Sequence, residues 1–421
     1  MLASRRVSRT LLLIGFVAAT GAGSLGCDGT SSPDPGSSPG PGPGPNPGPG
    51  PGPGATPPVT SQFELRKAMR QLWVEHAVWT RSVVVSAVAG LAGTDAALGR
   101  LLQNQADLGN AIKPFYGNQA GDALTALLRE HINLAVELVG AAKGGDARKV
   151  ADARARWGVN GDQIAAFLSG ANPHWPLADL KVMMKMHLDL TLAAATARLT
   201  GDGAGAIASD DQVMHHILGL ADALSDGITK QFPAKVSPET TLKPKHQELQ
   251  LAMRAVWVDH VAWTRAYLVA AIAGLPETEA TAARLMQNQT DIGKAIEPFY
   301  GKVAGDGLAT LLREHIAIAA ELVTAAKSGD ADKVSDARTR WGKNADQLAA
   351  FLAAANPNWP LKDLTEMMRL HLDQTLTEAT ARLTGDWAGD IKAYDAAASH
   401  ILMMADALSG GIARQFPGSV L

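Results

Sequence analysis

The sequence predicts an all-α protein: two tandem multi-helix bundle domains, about six helices each, behind a disordered Pro/Gly linker. Three observations carry this. Apolar residues recur at intervals of three and four through most of the chain. Residues 62–233 match 246–417 at a constant offset of 184, ungapped, and roughly six in ten positions are identical. The apolar residues are mostly Ala and Leu, which favour helix over strand, and no run alternates with a period of two.

The chain opens with Arg5, Arg6 and Arg9, then an apolar run over residues 11–19, then Thr20, Gly21, Ala22 and Gly23. Basic, apolar and small-residue stretches in that order mark residues 1–26 as a secretory signal peptide. The run is too short to cross a bilayer, which takes about 20 apolar residues, and no later segment is expected to cross one. Cys27, the only cysteine, ends the string Ser24-Leu25-Gly26-Cys27 and rules out an intrachain disulfide. This string resembles the lipobox of bacterial lipoproteins, with Ser24 where that pattern usually has Leu, Val or Ile. The resemblance implies that Cys27 becomes the lipidated mature N-terminus. Ordinary cleavage after Ala22 is the alternative.

Residues 27–60 form the expected lipid-attachment and linker segment, with Pro and Gly alternating from 39 to 54. Such a stretch has nothing apolar to bury and stays unfolded. Its prolines keep it extended, up to ~3 Å per residue, which suits a spacer. Removing Arg5, Arg6 and Arg9 from the 38 basic residues leaves 35 against 41 acidic ones, a net −6. A mildly acidic protein without a Lys/Arg cluster is not expected to bind nucleic acid.

Residues 61–233 are read as the first domain, 234–245 with Pro238 and Pro244 as a short linker, and 246–417 as the second domain. A repeat of about 170 residues is a whole domain and not a solenoid unit, and is long enough to bury its own core. Within the first copy, helices are expected near 62–90, 95–113, 119–143, 146–170, 177–200 and 205–231. Stripes such as Leu65, Met69, Leu72, His76, Thr80 and Val83 define their buried faces. Gly and Pro punctuate them at 90–93, 114–117, 144–145, 172–176 and 201–205. Asp95 and Asp146 stand where N-caps belong. Short connections imply an antiparallel bundle.

Several strings resemble a family of small, single-domain, all-helical bacterial proteins: Leu72-Trp73-Val74-Glu75-His76 with Trp79-Thr80-Arg81, the turn Pro114-Phe115-Tyr116-Gly117, the run 134–143, Trp157 with Asn160 and Asp162, Asn172-Pro173, and Ala221-Asp222. The resemblance covers each repeat nearly end to end and includes His76, His131 and His187. It implies a soluble helical domain and no mechanism, because the activity of that family is unsettled.

His76, His131 and His187 each sit mid-helix on an apolar stripe, and His260, His315 and His371 repeat them. Three such imidazoles can converge at one depth in a bundle, where they would suit a transition metal or haem. The plainer reading is three buried, hydrogen-bonded histidines. Met183 and Met184 before His187 admit copper and suit core packing better. Glu130 and Glu137 lie two turns apart as a solvated helix edge or a carboxylate pair. Arg81 can bind an anion, pair with a carboxylate or stack on Trp79. Trp73, Trp79, Trp157 and Trp175 are expected in the core. No phosphate loop, nucleophile elbow or HExxH motif is present. The sequence therefore predicts an exported lipoprotein, held at the cell membrane or outer membrane by lipid on Cys27. Its two helical domains would face the periplasm or cell surface as a binding or structural module for a protein or small-molecule ligand. A metal- or haem-binding bundle is the alternative.

Overall fold

Ser61 begins the first helix by accepting the amide proton of Glu64 on its side chain, a cap for an otherwise orphaned donor. The computed structural model describes residues 60–420. The proposed signal peptide, Cys27 and nearly all of the Pro/Gly segment lie outside the described residues. The first repeat supplies α1 (Gln62–Ala89), α2 (Thr94–Tyr116), α3 (Asn118–Lys143), α4 (Ala147–Ala171), α5 (Leu177–Leu199) and α6 (Gly203–Gln231). The second supplies α7 (Pro244–Ala273), α8 (Thr278–Ser328), α9 (Ala331–Ala355), α10 (Leu361–Thr384) and α11 (Trp387–Gln415), and the short α12 (Pro417–Val420) closes the chain. Consecutive helices pack on one another within each repeat, and α6 returns to α1 as α11 returns to α7.

Glycines set the breaks. Gly117 ends α2 at φ 84°, and Gly301, its repeat equivalent, bends α8 at φ 78°. Pro114 does not stop α2, which runs on to Tyr116. Asp146 caps α4 as its position predicts, accepting from the amide of Lys149. Asp95 is not a cap. It lies in the first turn of α2, which starts at Thr94 with Gly93 in the cap position. Two two-residue strands absent from the sequence reading also form: β1 (Thr60–Ser61) pairs parallel with β2 (Val236–Ser237). The helix α11 corrects a second expectation, because it is long and apolar enough to cross a membrane. However, 61% of its apolar window is buried inside the protein, so it is a core helix.

The first repeat keeps one apolar cluster of its own, from Leu65 to Val236, and shares a second with the other repeat. Val78, Trp79, Val83, Ala97, Leu101 and Ile132 of the first belong to the same apolar cluster as Met253, Trp257, Leu312 and Ile401 of the second. The joining contacts occur in pairs with the repeats exchanged, the pattern of an isologous interface. Arg100 of α2 donates to Asp395 of α11 at 2.7 Å, and its equivalent Arg284 of α8 donates to Asp211 of α6 at 2.7 Å. The Arg81 guanidinium lies 4.4 Å over the Trp263 ring, and Arg265 lies 4.5 Å over Trp79. One place where the symmetry is broken is the contact of Trp387, whose equivalent is Gly203. Trp387 presses on Gly93 so closely that a Cβ there would stand 2.8 Å from the indole. At the equivalent contact Gly203 lies against the backbone of Glu277.

Candidate functional site

The six predicted histidines come from α1, α3 and α5 in the first repeat and from α7, α8 and α10 in the second. The helical period that placed them on apolar stripes also turns them inward. His76, His131 and His187 are 2%, 2% and 4% exposed, and His260, His315 and His371 match them. They form a file with His187 in the middle. Its ring centroid is 5.5 Å from that of His76 and 5.9 Å from that of His131. A fourth ring, His216, stacks on His187 at 6.2 Å. In the second repeat His371 takes the middle, 5.4 Å from His260 and 6.0 Å from His315. Indoles close the ends: Trp73 against His76 and Trp157 against His131.

The hydrogen bonds of one member fix its tautomer. Asn160 donates its amide to the Leu127 carbonyl at 3.2 Å, which leaves its Oδ1 as acceptor for the Nδ1–H of His131 at 2.9 Å. Asn344 treats His315 in the same way, at 3.1 and 2.8 Å. By contrast, Nδ1 of His76, His187, His260 and His371 and Nε2 of His315 have no partner. Burial pushes His76 and His260 down to about 3 and His131 and His315 down to about 4. It takes His187 and His371 well below the usual histidine range, with repulsion from the neighbouring imidazoles adding to it. All six are therefore neutral near pH 7, the form that can ligate a metal. His131 stacks on His187 at 27° and His315 on His371 at 25°, which turns faces rather than nitrogen lone pairs toward one another, while His76 and His260 are tilted at 46° and 47°. Among the described residues no three His, Cys, Asp or Glu side chains are placed to share one ion.

The other candidates are dispersed. Glu130 is exposed, and Glu137 is exposed and ion-paired with Arg156. Met184 and Met368 fill core space, as do all four tryptophans of the first repeat. Arg81 stacks on Trp263 of the other repeat, not on Trp79.

The sequence reading missed a cleft of about 330 Å³ between the repeats, where α1 and α6 meet α7 and α11. Repeat equivalents line it in pairs: Val74 with Val258, Leu218 with Leu402, Arg70 with Arg254, Glu75 with Asp259. Both arginines are held by carboxylates of their own repeat, Arg70 by Asp222 at 2.6 and 2.5 Å and Arg254 by Asp406 at 2.7 and 3.0 Å. Burial raises Asp259 to about 6, against the pull of Arg284. The walls are unlike in polarity, because Lys67 and Gln71 of the first repeat stand where the second has Leu251 and Ala255. Those differences between copies were the available signal, but nothing in one copy says that the other faces it. Comparison with family models, curated proteins and solved structures finds no match to this chain.

Proposed function

We propose that this protein is a membrane-tethered binding module whose two repeats together hold a small amphipathic molecule in the cleft between them. The cleft carries the reading. Its volume falls within the ~300–1,000 Å³ of small-molecule sites. About half of its lining is apolar, its arginines are ion-paired, and one wall is more polar than the other. Those features favour a largely apolar ligand with a polar end over a highly charged one. Duplication is then functional in itself, because neither repeat alone has the site. Titration with the fluorescent probe 1-anilinonaphthalene-8-sulfonate should saturate at one molecule per chain, and Val258→Trp, which puts an indole on the cleft lining, should abolish it. Two probes per chain, or binding unchanged in Val258→Trp, would overturn the reading.

Export and tethering rest on the order of residues 5–27 and on the single cysteine at the end of that order. Mass spectrometry of the mature N-terminus should find lipid on Cys27, and an unmodified N-terminus at Gly23 would remove the tether. A second reading, a transition-metal site on the histidines, is favoured by their unpartnered nitrogens alone. It requires the rings to turn. A Zn²⁺- or Cu²⁺-dependent rise in melting temperature that His131→Ala abolishes would support it, and no shift with either metal would sink it.

A further inference from the structure

Each repeat has a small apolar pocket at the same place. In the first it lies among α1, α3 and α5, one turn beyond the histidines. Thr80, Ala135 and Thr191 line it, and they follow His76, His131 and His187 by four residues each. Its counterpart in the second repeat lies among α7, α8 and α10. Both have a volume of about 50 Å³. All 15 residues that line the second pocket are repeat equivalents of residues lining the first, and 13 of the 15 are identical, against roughly six in ten over the whole repeat. The two that differ, Tyr267 for Val83 and Leu268 for Val84, are larger, yet the volume is the same. Leaving such space in a core costs stability in proportion to its volume, and both copies keep it.

The walls are carbon almost throughout, and no ionisable side chain lines either pocket. Thr191 and Thr375 turn their hydroxyls onto the carbonyls of His187 and His371, at 2.8 and 2.9 Å, and Thr264 donates to that of His260 at 2.7 Å. The indoles of Trp157 and Trp341 line the pockets at 3% exposure, and their Nε1–H groups have no acceptor. Water needs about two to four polar partners per molecule, more than these walls supply. The volume exceeds the ~10–15 Å³ that one water occupies and is about a third of the ~150 Å³ cavity that holds a six-carbon ring. Two or three heavy atoms therefore fit. Thr196 and Thr380, both exposed, stand at the rims and mark the side open to solvent.

We infer that each pocket binds a small uncharged apolar molecule, of the size and polarity of dioxygen, against the indole of Trp157 or Trp341. The chain carries two such sites, one per repeat, and neither shares a lining residue with the cleft.

Crystals of the full chain pressurised with xenon, a probe that enters dry apolar cavities, should show two peaks, one in each pocket. Ala195→Val, which adds two carbons to the lining of the first pocket, should remove the first peak and leave the second. In solution, paramagnetic relaxation of methyl protons by dissolved oxygen should be stronger at Ile132 and Ile316, which line the pockets, than at Ile217 and Ile401, which are buried elsewhere. In Ala195→Val it should fall at Ile132 alone. If that variant does not fold, Ala142→Val, at a half-buried position of the same lining, should give the same result. Ordered water in place of xenon, no peak in either pocket, or a first peak undiminished in the variant would overturn the proposal. Equal relaxation at all four isoleucines would do the same.

Discussion

The six repeat-paired histidines at 76, 131, 187, 260, 315 and 371 are core residues before they are anything else. A neutral imidazole in the folded state and an ordinary one in the unfolded state make stability depend on pH. Four of the six buried histidines have folded-state values near 3–4, against 6.5 when unfolded, and His187 and His371 are held well below the usual histidine range. Below pH 6.5 the unfolded chain takes up protons that the native one refuses. Each histidine then removes about 1.4 kcal/mol of stability per pH unit until its folded value is reached. Glu378, raised to about 7, and Asp259, raised to about 6, act in the opposite sense, because burial makes the native state hold their protons longer. With His216 and His246 also lowered and Glu75 also raised, eight histidines against three carboxyls leave a net loss. The melting temperature should therefore be flat above pH 7 and fall steeply between pH 6 and 4.5. His131→Ala should lower stability at pH 7.5 by roughly 1–3 kcal/mol, since Asn160 loses its donor, while making the acid slope shallower. A melting temperature constant from pH 7 to 5 would refute the buried, neutral assignment. The inward aspect of these residues was legible because His76, Thr80 and Val83 share a period of 3.6. The neutral, stacked file was not, since period fixes the side of a helix and not which rings meet.

Helix boundaries were legible for the same local reasons, and the glycines show where legibility ended. Gly90, Gly117 and Gly201 adopt positive φ, and breaks expected there are observed. Asp95 misled because capping chemistry competes with position: the chain enters α2 one residue earlier, and Thr94 bonds the Leu91 carbonyl. Gly158 and Gly227 look alike in sequence, both interior to helices. Gly158 faces open space, whereas a Cβ on Gly227 would stand 1.9 Å from Nε1 of Trp175. Gly158→Ala should thus stabilise the protein by roughly 0.5–1 kcal/mol through helix propensity. Gly227→Ala should destabilise it by roughly 1–3 kcal/mol by displacing the indole and its hydrogen bond to Ala223. Denaturant unfolding of the two variants checks the pair, and equal effects of one sign would contradict the packing described.

At the scale of the whole molecule the duplication was plain and its geometry was not. The same stripe that packs inside one repeat says nothing about a second face. The hint was that α1 is buried on all sides around Ala77, Val78, Trp79 and Val83 to Val85, a pattern that a helix at the rim of a bundle does not need. Because one apolar cluster spans both repeats, calorimetry should record a single cooperative transition for the full chain. Trp387→Gly, which empties the contact with Gly93, should lower its midpoint and broaden it. Two well-separated transitions in the wild type would mean that the repeats fold independently.

Trp387 against Gly93, and Glu277 against Gly203, also bear on the history of the gene. Adjacent segments this similar recombine, and unequal exchange turns two copies into one or three. A chain left with the second repeat alone could pair with its like only by pressing Trp387 onto Glu277. Two first repeats would face each other across two glycines and a void. Each copy has thus lost the option of partnering itself, and the broken symmetry acts as a ratchet that holds the copy number at two.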